Sequence, residues 1–363
     1  MVKLQNYLNL RNIKLTFMAI NNSQPNTETK EEKFSVNKHS NEISIYTLRN
    51  NNGMEANITN FGATLFSLYV PTKNGKTDVV LGFNTIDEYI KAFEIGASPY
   101  FNAIVGRFAG RIKNSQFSLN GKIIQLDQNH GKHHLHGGKY QLSNVAWNFE
   151  NYNEDENAIT FSYLSKANEY YPGDVNIEVT YTLTENNELN IKYKATTTED
   201  TLLNLTNHAY FNLDGISGNT LNQKLQVNAE KFLELDSENI PTGNFIAMEN
   251  HAFDFRNSKN VVAGVDHCFV LKNNNEPAAI LESEINGLTM KVYTDQPAVQ
   301  IYVGGKTSEE LQNKNLVKYH TESGICFETQ VFPDAPNHED FPNAILRKGE
   351  TYHQNTTFQF INS

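Results

Sequence analysis

Five stretches of the sequence set polar, chemically useful side chains inside otherwise apolar, strand-like text. In Gly324-Ile-Cys-Phe-Glu-Thr-Gln330, an extended chain puts Ile325 and Phe327 on one face and Cys326, Glu328 and Gln330 on the other. A carboxylate flanked in this way is partly desolvated, which raises its pKa and makes it a better base near neutrality. In Leu203-Asn-Leu-Thr-Asn-His-Ala-Tyr-Phe-Asn212, a strand would place Asn204, Thr206, His208 and Tyr210 on one face, with Leu203, Leu205 and Asn207 on the other. A lone histidine in such a row reads as structural, but the neighbouring asparagines and tyrosine are the neutral donors and acceptors that a polyol needs.

Three further stretches offer binding groups. Val105-Gly-Arg-Phe-Ala-Gly-Arg-Ile112 sets Arg107 and Arg111 among glycines, either as fixed fork donors beside a closely approaching ligand or as solvated surface arginines. His130-Gly-Lys-His-His-Leu-His-Gly-Gly138 holds four histidines in seven positions, of which at most two converge in extended chain. No H-E-x-x-H occurs, so a hydrogen-bonding His136 beside flexible Gly137-Gly138 is favoured over a metal site. Gly264-Val-Asp-His-Cys-Phe-Val-Leu271 puts Asp266 and His267 at the mouth of an apolar strand, where the carboxylate accepts from hydroxyls or caps the strand. A histidine and a glutamate from distant segments, with dense neutral hydrogen bonding and no cofactor motif, suit cofactor-free proton transfer on a neutral polyhydroxylated substrate.

The elements that must position these groups are strands. Leu189, Ile191, Tyr193 and Ala195 alternate with polar residues, as do Leu288, Met290 and Val292, and Val299, Ile301 and Val303. Turn signals stand at Asn74-Gly75, Asn120-Gly121, Asp214-Gly215 and Asn286-Gly287. One helix is expected, from the capping pattern Thr85-Ile-Asp-Glu88 through Tyr89, Ile90 and Phe93 to a stop near Gly96. The lack of a βαβ rhythm and of a G-x-G-x-x-G after a strand argues against a Rossmann-type dinucleotide enzyme. The expected architecture is all-β, a large antiparallel β-sandwich with very few short helices. It forms one domain over residues 39–363 behind a polar, disordered leader over residues 1–38.

The chain of 363 residues carries 30 Lys+Arg against 41 Asp+Glu, a net charge of −11 that disfavours nucleic acid and anionic membranes as partners. Its 2 cysteines, Cys268 and Cys326, with no C-x-x-C pair, argue against a disulfide framework and a thiolate zinc site. They suit a cytoplasmic protein, or a periplasmic or secreted one if Lys3, Arg11 and Lys14 with the apolar run Leu15 to Ile20 act as a signal.

Taken in order, the motifs resemble those of the aldose 1-epimerase (galactose mutarotase) family. They are Asn60-Phe-Gly-Ala-Thr64, Asp78-Val-Val-Leu-Gly82, the arginine segment, Leu135-His-Gly-Gly138, Thr206-Asn-His-Ala-Tyr-Phe-Asn-Leu213, the Asp266 segment, Thr294-Asp-Gln-Pro-Ala-Val-Gln-Ile-Tyr302 and Gly324 to Ala335. The resemblance implies a β-sandwich with an open cleft, His208 as general acid and Glu328 as general base. It implies that Arg111, His136, Asp266 and Gln300 hold the sugar, with no cofactor and no metal. Some relatives carry Asn where Gly110 stands, so one sugar contact is absent here or made by backbone. The implied activity is interconversion of the α and β anomers of free aldohexoses such as galactose and glucose, by a monomer or homodimer with a small aldose as partner. Alternatives are a hexose-6-phosphate epimerase of the same fold, a non-catalytic sugar-binding module, and a two-carboxylate glycosidase.

Overall fold

The computed structural model describes residues 16–19, 34–35, 42–272 and 274–362. The period-two runs form long antiparallel ladders. Val175–Leu183 pairs along its whole length with Glu188–Thr197, its odd-numbered apolar residues buried throughout. Around them a sheet of nine strands runs in the spatial order Asn148–Asn153, Ala158–Ser165, Val175–Leu183, Glu188–Thr197, Thr351–Asn362, Leu288–Thr294, Ala279–Ser283, Lys224–Val227 and Lys259–Asn260. A six-stranded sheet is ordered Tyr210–Phe211, Gly324–Gln330, Ala298–Gly304, Asp266–Leu271, Ala229–Leu235 and Pro241–Ala247.

These two sheets share one core. Val179, Tyr181, Ile191, Val292 and Phe358 of the first meet Phe269, Val299, Ile301, Ile325 and Phe327 of the second. Alternation then forces the even-numbered residues of the six-stranded sheet, Asp266, Gln300, Tyr302, Glu328 and Gln330, onto the face away from that core. That face carries the site. The fold is thus the expected antiparallel β-sandwich.

A third sheet joins Thr16–Ala19, Glu42–Arg49, Glu55–Thr59, Thr64–Thr72 and Gly75–Asp78. Most of the leader expected over residues 1–38 lies outside the described residues; its two described pieces, Thr16–Ala19 and Phe34–Ser35, both pair with Glu42–Arg49. The helix forms over Ile86–Glu94, capped by the Thr85 side chain accepting from the Glu88 N–H, and Ile86, Tyr89, Ile90 and Ala92 are buried. Gly96 follows at a φ of 66°. No helix among the described residues is long and apolar enough to cross a membrane. Asn120-Gly121 makes a two-residue hairpin with both φ angles positive, 52° and 76°. Asp214-Gly215 instead bends a loop that follows Tyr210–Phe211.

The single strand expected over 203–212 does not form. Thr201–Leu202, Thr206–Asn207 and Tyr210–Phe211 are separate two-residue pairings with three different partners, Ile345–Leu346, Ile104–Val105 and the Gly324–Gln330 strand. Asparagine side chains replace the missing ladder. The Asn204 amide donates to the Ala109 carbonyl and accepts from the Val331 N–H, and the Asn207 amide donates to the Asn102 carbonyl and accepts from the Ala209 N–H. Asn102, fully buried at a φ of 59°, donates through its side chain to the Leu81 carbonyl and accepts from the Tyr210 N–H, while its own N–H donates to the His208 carbonyl.

Asn102 therefore holds the backbone on both sides of Ala209. Asn102→Ala strands a buried carbonyl and a buried N–H and replaces a residue that tolerates the left-handed region with one that tolerates it less, at an expected cost of about 2–6 kcal/mol. Urea denaturation checks this, and a loss below about 0.5 kcal/mol, the scale of an ordinary surface change, would contradict it.

Candidate active site

His208 projects from the irregular link between two of those short pairings. Its Nε2 lies 3.5 Å from Glu328 Oε1 and its Nδ1 3.5 Å from the Cys326 sulfur. The ring is packed between Tyr210, at 5.0 Å and 27°, and Tyr100, at 6.0 Å and 28°. Both members of the His208–Glu328 pair are almost fully buried, at 5% and 3% exposure. Burial is the dominant influence on each and drives them in opposite directions. The Glu328 carboxyl is pushed up to about 8, with the Asp266 charge adding to the rise and Arg111 opposing it, and the His208 imidazole is pulled down to about 4. Burial also lifts the Cys326 thiol well above its ordinary range, so it stays protonated beside His208.

The neighbouring strands supply the other groups by register. Gln300 stands directly opposite Glu328, and Asp266 opposite Tyr302. The Gln300 amide donates to Asp266 Oδ1 at 2.6 Å, and Asp266 Oδ2 lies 3.8 Å from an Arg111 terminal nitrogen. With Gly110, His136, Leu235, Asn239, Gln330 and Pro333, these side chains line a cleft of about 140 Å³. This volume suits a small ligand rather than a polymer or a dinucleotide. All six residues singled out from the sequence, His208, Glu328, Arg111, His136, Asp266 and Gln300, converge on it.

His136 enters through a tight turn. Its backbone has a φ of 52°, and a β-carbon on Gly137 would fall 1.9 Å from the Gly106 carbonyl oxygen, so glycine is required there. His136 and Gly110 are tied twice, the His136 N–H donating to the Gly110 carbonyl and the Gly110 N–H donating to His136 Nδ1 at 3.2 Å. The Gly110 N–H is thereby committed to His136, and a side chain at Gly110 would press on Pro333 at 3.1 Å.

One ligand atom each from His136, His208 and Glu328 lies within 4.8 Å of the others, a His2Glu set of the kind that holds catalytic zinc. The hydrogen bond from Gly110 argues against that use. Burial keeps the His136 imidazole well below its ordinary pKa and hence neutral. A neutral ring accepting at Nδ1 carries its proton on Nε2, so one nitrogen is taken and the other is a donor rather than a lone pair. The cleft fits hydroxyl recognition instead.

Several expectations are corrected. Asn204 and Asn207, read as groups for a polyol, bond backbone as described above, and Asn212 likewise donates to the Ser323 carbonyl. Of the two arginines, Arg107 is buried away from the cleft, where its guanidinium donates to Ser165, Lys166 and Pro172. His133 accepts from the Asn114 N–H, and His134 contacts Asp127 and the Tyr171 hydroxyl, leaving His136 as the histidine of its segment in the cleft. Tyr302, Gln330 and Tyr100 border the site without having been singled out. The register of Gly324–Gln330 already placed Gln330 on the Glu328 face, but nothing in its spacing marked Tyr100, which reaches His208 and His136 only through tertiary packing.

Comparison with known proteins shows the family to which this chain is similar. The family model described as aldose 1-epimerase matches residues 44–359. The chain is 37% identical over 333 residues to the aldose 1-epimerase of Haemophilus influenzae, covering 87% of this chain and 95% of that one. It is 37% identical to the galactose mutarotase of Mus musculus, covering 85% and 91%. Among solved structures, a GalM/aldose epimerase homologue from C. elegans superposes with a TM-score of 0.81 at 33% identity, covering 88% of this chain and 99% of that one. Galactose 1-epimerase from Lactobacillus acidophilus superposes with a TM-score of 0.76 at 26% identity, covering 94% and 98%. The chain belongs to the aldose 1-epimerase family, the isomerases that interconvert the anomers of aldoses.

Proposed function

We propose that this chain interconverts the α and β anomers of free aldohexoses of the galactose and glucose type, with Glu328 and His208 moving the protons. The observation that carries the reading is the 3.5 Å approach of His208 Nε2 to Glu328 Oε1 in a cleft lined by Arg111, His136, Asp266 and Gln300. Ring opening removes the proton from the anomeric hydroxyl and delivers one to the ring oxygen. Both oxygens are bonded to the same carbon, so acid and base must stand side by side, as this pair does. The open aldehyde rotates about its bond to the adjacent carbon and recloses on the other face, with the two roles exchanged.

The reaction needs one loaded and one empty partner. In the free cleft, burial places a single proton on the pair at neutral pH, on the Glu328 carboxyl. Sugar hydroxyls donating to that carboxyl favour its ionised form, as Arg111 already does, and shift the proton toward His208. Glu328 then acts as the base and His208 as the acid. His136, donating from Nε2, and Arg111, Asp266 and Gln300 hold the sugar's other hydroxyls so that both reacting oxygens stay in reach.

The alternative of a hexose 6-phosphate is disfavoured by charge. Among the described residues lining the cleft, Arg111 is the one fixed cation, and it faces two carboxylates, Asp266 and Glu328. Arg107, the second arginine of the motif, points elsewhere.

Polarimetry on freshly dissolved α-galactose and α-glucose is expected to show accelerated approach to equilibrium. Glu328→Gln and His208→Asn are each expected to lower kcat by ~10²–10⁴ with the β-rich circular dichroism retained. Near-full turnover in Glu328→Gln would refute the base assignment.

Stability carries a second signature. Folding raises Glu328 from 4.5 to about 8, so the folded state binds more protons than the unfolded one between those values, and stability falls as pH rises. His208, lowered from 6.5 to about 4, acts in the opposite sense but only below 6.5. Relative to the parent, Glu328→Gln is therefore expected to gain thermal stability steadily from pH 6.5 to about 8. Melting curves across that range check it, and a pH-independent difference would contradict it.

A further inference from the structure

We propose that Gln330 is a specificity-determining residue, whose side-chain amide binds the hydroxyl on C3 or C4 of the sugar. The inference rests on the reading of the cleft as an aldose site and deepens it. Gln330 is 1% exposed, yet among the described residues its Oε1 has no hydrogen-bond partner. The cleft contains two other buried polar atoms in the same state, Arg111 Nε and Gln300 Oε1, and both belong to groups already assigned to the sugar. Buried polar atoms are almost always paired, and those that are not call for a specific explanation. Here the three residues line one cleft, which points to a ligand bearing several hydroxyls.

Among the described residues no protein group is placed to satisfy Gln330 Oε1. Its register partner is Ala298, which offers only a methyl group, whereas the register partner of Glu328 is the polar Gln300. Pro333, the next residue of the lining, has no N–H to donate. An amide oxygen in this position needs a hydroxyl donor from the ligand.

The position along the strand says which hydroxyl. Glu328 and Gln330 are two residues apart on one face of Gly324–Gln330, a displacement of about 7 Å. With Glu328 at the anomeric oxygen, that displacement carries past the adjacent C2 hydroxyl to the far side of the pyranose ring, where C3 and C4 carry theirs. C4 is where galactose and glucose differ in configuration, so Gln330 lies where the two are distinguished.

The test is Gln330→Leu, with Gln330→Met as a second variant of similar volume if the first does not fold. Mutarotation is measured on galactose and on its 2-deoxy, 3-deoxy and 4-deoxy analogues. The expected result is a loss in kcat/KM on the order of tenfold with galactose and 2-deoxygalactose that disappears with the 3-deoxy or the 4-deoxy sugar. The free variant is also expected to melt no lower than the parent, because it removes an unpartnered buried polar group; a structural glutamine would show the reverse. An equal loss on all four sugars, no loss on galactose, or a loss that disappears only with the 2-deoxy sugar overturns the proposal. If the parent protein shows no mutarotation at all, the functional reading fails instead, and calorimetric binding of the same sugars then decides the role of Gln330 by the same pattern.

Discussion

The structure is organised around the exclusion of water from an imidazole and a carboxyl held at 3.5 Å. In water these groups titrate in the order that leaves the carboxyl empty and the imidazole about a quarter loaded at neutrality. Burial reverses that order by penalising both charged forms, lifting Glu328 and lowering His208. In the free cleft the neutral pair is thereby favoured over the ion pair, and hydroxyls donating to the Glu328 carboxyl would bring the two arrangements closer in energy. The proposed reaction needs that balance, since in it each group would serve as acid on one face of the sugar and as base on the other.

The fold delivers this environment through sheet geometry. Gly324–Gln330 is buried on both faces, with Ile325 and Phe327 in the core between the two large sheets and Glu328 in the cleft. A strand is the right carrier, because ladder hydrogen bonds on Ala298–Gly304 fix its register and with it the pairing of Glu328 with Gln300. His208 is placed by different means. Its segment lacks a continuous ladder, and the side chains of Asn102, Asn204 and Asn207 take over the backbone hydrogen bonds that a strand would have made internally. The many asparagines around it are a scaffold for an irregular backbone that must carry a histidine across to the next sheet.

The cleft's remaining chemistry is that of neutral recognition. Arg111 is kept near Asp266, and His136 is held neutral by burial and left as a donor at Nε2 by the Gly110 N–H at its Nδ1. The same hydrogen bond makes the His136, His208 and Glu328 triad poor as a metal site despite its compactness. Donors and acceptors in this balance, several without a protein partner, favour a ligand that supplies both at once, as a sugar hydroxyl does.

Much of this was legible in the sequence. Two-residue alternation determined the sheets, the Thr85 cap determined the helix, and parity within Gly324–Gln330 determined that Glu328 and Gln330 share a face opposite Ile325 and Phe327, because side-chain direction in a strand depends only on residue count. The ordered motifs named the six cleft residues. Other features depended on contacts between residues far apart in the chain. Only the tertiary structure decided where the Arg107 guanidinium is buried, that the 203–212 stretch holds two short pairings with different partners rather than one strand, and that Tyr100 borders His208. Spacing along the chain carries no information about which distant backbone groups will be left in need of a partner, and those needs are what set the asparagines, the arginines and the cleft in their places.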